Sequence, residues 1–100
     1  MKFLFTFTKP EDGTAVGIEG GRTALWAAQE EAAGWPERPT NSNRLDFAWA
    51  YFAAKRAGKL KELGVDGMDT SEAIDFIADT YDVNIRDNKP DAPLADARPE

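Results

Sequence analysis

Phe3-Leu4-Phe5-Thr6-Phe7-Thr8 is the stretch on which the reading of this chain turns. Side chains along a strand alternate between two faces, so Phe3, Phe5 and Phe7 share one face and Leu4, Thr6 and Thr8 the other. Pro10-Glu11-Asp12-Gly13 then has turn chemistry. Proline holds φ fixed, and glycine accepts a positive φ. Residues 14–18 read as a second strand, which completes an N-terminal hairpin. A hairpin alone is marginal in water, so the phenylalanine face must lie on something else, and the rest of the chain offers helices.

Gly20-Gly21 ends the second strand. A helix over 23–33 places Leu25, Ala28, Gln29 and Ala32 on one face with Trp26 beside them. Gly34 is the expected C′ residue, and Pro36 stops the helix. Residues 36–43 form a loop whose Thr40-Asn41-Ser42-Asn43 cluster supplies N-cap candidates. The next helix spans 43–57. Leu45, Ala48, Trp49, Phe52 and Ala53 recur at core-facing spacing, and Phe47, Tyr51 and Ala54 make a second apolar edge. Such a helix is either central in the core or exposes a sticky surface, with Trp49 and Phe52 expected inside.

Lys55 and Arg56 complement the dipole of its last turn, and Gly58 closes it. A short helical turn over 59–63 precedes Gly64. Asp69-Thr70-Ser71-Glu72 has a capping-box pattern, with Asp69 or Thr70 as N-cap and Glu72 reaching back. The helix it opens carries Ala73, Ile74, Ile77, Ala78 and Tyr81 on one face. Residues 83–85 read as a short third strand. The expected architecture is α+β: a hairpin packed on three to four helices in a single domain over 1–85. Residues 86–100 follow as a charged tail with Pro90, Pro93 and Pro99, whose composition cannot repay ordering entropy and predicts disorder.

Composition narrows the chemistry. The 100 residues carry 12 Lys and Arg against 18 Asp and Glu, a formal charge of −6, with no histidine and no cysteine. That removes the usual neutral-pH base, thiol nucleophiles, disulfides and His- or Cys-based metal sites. A net acidic chain does not attract nucleic acid or anionic lipid through its overall field. The longest uncharged apolar run covers residues 47–54, against about 20 needed for a bilayer span. The apolar start is interrupted by threonines and halted at Lys9-Pro10-Glu11-Asp12 without a small-residue cleavage site, so it reads as structure and the expected compartment is the cytoplasm.

The candidate constellations are weak as chemistry. Gly17-Ile18-Glu19-Gly20-Gly21-Arg22-Thr23 lies where a phosphate loop would, but its glycine spacing, Arg22 in place of lysine and Glu19 in the fingerprint position fail the requirement. Glu72, Asp75, Asp79 and Asp82 share helical spacing, yet the neighbouring sequence lacks the alternating ligands of a Ca²⁺ loop; a solvated acidic face is the ordinary reading. Lys55, Arg56, Lys59 and Lys61 are too few for a nucleic-acid footprint. Paired carboxylates need a deep pocket to do acid/base work, and so small a chain promises none. No enzymatic activity, cofactor or metal is expected.

The aromatics say more. Trp26, Trp35, Phe47, Trp49, Tyr51 and Phe52 crowd the middle of the chain, more than so small a domain easily buries beside three hairpin phenylalanines. Trp26, Trp35, Phe47 and Tyr51 are therefore the candidate partner-binding residues, expected to be partly exposed.

The order of these pieces resembles the phage tail assembly chaperones. The resemblance rests on a short β start, a Trp-bearing helix ending in Gly34-Trp35-Pro36, and the helix Arg44-Leu45-Asp46-Phe47-Ala48-Trp49-Ala50-Tyr51-Phe52-Ala53-Ala54-Lys55-Arg56-Ala57-Gly58. An acidic helix and a Pro-rich charged tail complete it. It implies a phage or prophage protein of the bacterial cytoplasm that binds the long helical tape measure protein, keeping it soluble while tail subunits assemble. The implied partners are that protein and the tail subunits; self-association is a separate expectation, and neither nucleic acid nor membrane is expected as a partner. The alternative is a small acidic inhibitor or DNA mimic of a mobile element, using Asp75, Asp79 and Asp82 on a basic site. A small oligomeric structural subunit is a third reading.

Overall fold

The computed structural model describes residues 2–87. Strands β1 (Phe3–Thr8) and β2 (Ala15–Gly20) form the expected hairpin, followed by helices α1 (Arg22–Ala32), α2 (Asn41–Ala57), α3 (Leu60–Leu63) and α4 (Thr70–Thr80), and by strand β3 (Asp82–Asp87). The sheet is antiparallel with order β2-β1-β3. The α+β expectation holds, with four helices. The third strand is longer than expected: Arg86 and Asp87, assigned from sequence to the tail, pair with Leu4 and Phe3. The remainder of the expected tail, 88–100, lies outside the described residues.

Alternation along β1 does what the sequence required. Phe5 and Phe7 are fully buried with Ile18 behind them, and Phe3, Val16, Val83 and Ile85 complete the helix-facing side of the sheet. Leu4, Thr6 and Thr8 share the other face with Ala15, Gly17 and Glu19 of β2 and Asp82, Asn84 and Arg86 of β3. The hairpin turn is closed by Gly13 at φ 77° and by hydrogen bonds between Lys9 and Thr14 and between Gly13 and Lys9, each 2.8 Å. Asp12 accepts from the Thr14 amide at 3.0 Å and from its hydroxyl at 2.8 Å.

The central element is α2, which packs against α1, α4 and both edge strands. Its two apolar stripes are divided differently from the sequence expectation. Ala48, Ala50, Tyr51, Ala53 and Ala54 are buried, while Trp49 and Phe52 are only half-buried. Small residues let α2 come close to its neighbours: at Gly20 an added Cβ would lie 2.8 Å from the Ala53 Cβ. Trp49 instead stands at the sheet margin, edge-on to Phe3 and Phe5, its indole N–H donating to the Gly21 carbonyl at 3.4 Å.

Several end signals work differently from expectation. Gly58, at φ 72°, closes α2, with the Lys59 amide donating to the Ala54 carbonyl at 2.9 Å, as foreseen. Gly64 closes α3 in the same left-handed conformation. Gly34 does not act as a left-handed cap, because Ala33 ends α1 in a right-handed conformation and the chain continues in a tight turn. The capping box at α4 is absent: Asp69 is the N-cap, but no side chain bonds there, and the first contact is the Ala73 amide on the Asp69 carbonyl. Tyr81, at the end of α4, donates its buried hydroxyl to the Leu63 carbonyl at 3.2 Å, tying the α3 turn to the core.

Candidate functional site

The proline-containing segment between α1 and α2 folds back toward α4. Between it, the first turns of α2 and the outer side of α4 lies an open groove of about 520 Å³. Its exposed apolar surface comes from Trp35, Phe47 and Ala78 over the buried Ile74, and Arg38, Arg44 and Asp75 also line it. Each element supplies its part for a local reason. Pro36 and Pro39 keep the connecting segment out of helix, which leaves Trp35 free to turn inward. Phe47 belongs to the second apolar edge of α2, and Ile74 to the buried face of α4.

Arg44 holds these parts together. Its guanidinium carbon sits 4.8 Å above the centre of the Trp35 ring. One nitrogen bonds the Asp75 carboxylate and another reaches the Ser71 hydroxyl at 3.1 Å. One side chain thereby joins the connecting segment, α2 and α4. The Trp35 indole N–H is buried and meets no acceptor among the described residues. Asn41 secures the same segment by donating from its side-chain amide to the Pro36 carbonyl at 2.9 Å.

The four aromatics picked out from sequence do not form one patch. Trp35 and Phe47, both half-buried, come together in the groove. Trp26 lies elsewhere, on the face of α1 away from its buried Ala24 and Ala28, and is 60% exposed. Tyr51 corrects the expectation: it is 2% exposed, a core residue with its ring edge-on to Phe52 at 5.0 Å. The wheel of α2 placed Tyr51 on a second stripe without showing that this stripe too is covered. Arg44, Ser71, Ile74 and Ala78 were not singled out as site residues. The only trace of their meeting is the opposite charge of Arg44 and Asp75, too far apart in sequence to read as a pair.

The other constellations are dispersed. Gly17 and Gly20 are strand residues of β2, and a single residue, Gly21, joins that strand to α1, so no phosphate-cradling loop exists there. Glu72, Asp79 and Asp82 are exposed, while Asp75 is engaged by Arg44. Among the described residues no three acidic side chains are grouped as cation ligands. Lys59 is paired with Glu62 at 3.2 Å. No helix among the described residues is long and apolar enough to cross a membrane. No family model, curated protein or solved structure matches this chain.

Proposed function

We propose that this chain is a non-enzymatic protein-binding module that takes the apolar face of a helix into the Trp35–Phe47 groove. Its client in this reading is the tape measure protein of a phage, held soluble during tail assembly. The carrying observation is that two aromatics selected from sequence, Trp35 and Phe47, line one open groove together with Ala78. A groove of that composition, with charge of both signs in its lining, suits the apolar stripe and flanking polar residues of an amphipathic helix. Surplus negative charge keeps such a holder and its client dispersed. The client's identity rests on the resemblance to tail assembly chaperones.

Calorimetric titration of the full chain with peptides cut from the apolar helical stretches of the tape measure protein tests this. Saturable binding that changes little with salt and is lost in Phe47→Asp supports the reading. No binding to any such peptide sinks it. Binding that weakens steeply with salt and fails when Asp79 and Asp82 become Asn assigns the chain to the acidic-mimic class instead.

A further inference from the structure

The sheet has two edges, and they are built differently. On β3, Asp82, Arg86 and Asp87 bring charge to half of the strand's positions, the usual guard against unwanted pairing. On β2 the sequence Ala15-Val16-Gly17-Ile18-Glu19-Gly20 holds one charged residue, no proline and no lysine. Among the described residues, the order β2-β1-β3 leaves the outer side of β2 without a strand neighbour. From that strand the chain passes through Gly21 alone into α1, whose outward face carries Trp26, the one exposed large hydrophobic among the described residues.

We propose that β2 is a self-pairing edge: two copies of the chain join β2 to β2 antiparallel about a two-fold axis at Gly17, giving a six-stranded sheet, with Trp26 of each copy buried against the other. The pattern of β2 suits its own copy. With Gly17 on the axis, Val16 lies opposite Ile18 and Glu19 opposite Ala15, so no like charges face each other. Even-numbered residues of both copies stay on the helix-covered side, which continues the core across the junction. The contact is isologous, so it closes at two copies. The groove is built from α2, α4 and the segment before α2, none of them part of β2, so a pair presents two grooves and grips a long helical client at two points. The pairing itself does not depend on the client.

Sedimentation equilibrium of the full chain, from low micromolar to near-millimolar concentration, reads the pairing directly. The expected result is a rise from one chain mass to two, stronger at high salt because both copies are acidic. Trp26→Glu and Gly17→Lys are each expected to weaken it by roughly tenfold or more. Gly17 tolerates the side chain, since a Cβ there meets only the Leu4 Cδ1 at 3.8 Å. Hydrogen exchange on the unsubstituted chain gives a second readout. In a pair the outward-pointing amides of β2 become as protected as the inward ones; in a lone chain they exchange fast in alternation. A single-chain mass at every concentration overturns the proposal. So does a dimer that survives both substitutions or leaves the alternation intact.

Discussion

The guanidinium of Arg44 lies over the indole of Trp35 at 4.8 Å while bonding Asp75 on the far side of the groove. The stacking contributes about 0.5–1 kcal/mol at a partly exposed site. The ion pair, with Asp75 more than half exposed, adds up to about 1 kcal/mol. Arg44→Ala is therefore expected to lower unfolding free energy by about 1–2 kcal/mol in urea titrations and to shift the Trp35 indole N–H resonance. Arg44→Lys keeps the charge but loses the planar fork, so it recovers less than half of that loss.

Two aromatics one turn apart on α2 should respond oppositely to the same change. Tyr51→Asp places a charge in the core without a partner, a cost of several kcal/mol against a whole-domain stability of about 5–15 kcal/mol. Circular dichroism should show a largely unfolded chain. Phe47→Asp, at the groove, is expected to cost about 1–2 kcal/mol and leave the spectrum folded. A folded Tyr51→Asp variant would contradict the burial of that ring.

Gly20 should be intolerant although its backbone is ordinary strand. A Cβ there meets the Ala53 Cβ at 2.8 Å and the Phe5 ring at 3.0 Å, two groups fixed in the core. Gly20→Ala is expected to destabilise by about 1–3 kcal/mol, and the double variant Gly20→Ala with Ala53→Gly to recover part of it. Denaturant midpoints at constant m-value measure both.

The hairpin turn carries an acid-sensitive contact. The Thr14 amide, and then its hydroxyl, hold the Asp12 carboxyl below the ordinary value of 3.8. Because the folded-state value lies under the unfolded one, the stabilisation is complete above 3.8 and fades as pH falls through the folded value. Asp12→Asn should lower stability near neutrality, where the charged form contributes in full, and flatten the profile below pH 4 so that the two proteins converge in acid, as thermal melts across that range will read.

Much of the fold was legible because local signals agreed with one another. The alternation of Phe3, Phe5 and Phe7, the Pro10–Gly13 turn and Gly58 each state a conformation that tertiary packing had no reason to override. Tyr51, Trp49 and Phe52 show where that stops. A helix apolar on two sides leaves open which stripe goes deepest, and on α2 alanines decided it by admitting close neighbours. The groove was half legible. Trp35 and Phe47 were chosen as surplus aromatics, but their meeting depends on a segment folding back and on Arg44 reaching Asp75, and long-range pairing of single charges leaves no periodic mark. The capping box failed for a related reason: a matching pattern supplies the groups without obliging them to bond.

The position of β1 bears on how the protein comes into being. This first strand is the middle of the sheet, with Phe3 opposite both Gly20 and Asp87. During synthesis one side of β1 is satisfied almost at once by the hairpin, while the other must wait until nearly all of the described chain has been made. Until then Phe5 and Phe7 have only part of their cover. An apolar strand is thus made long before its second partner, which sets a slow, non-local last step and a window of stickiness before it.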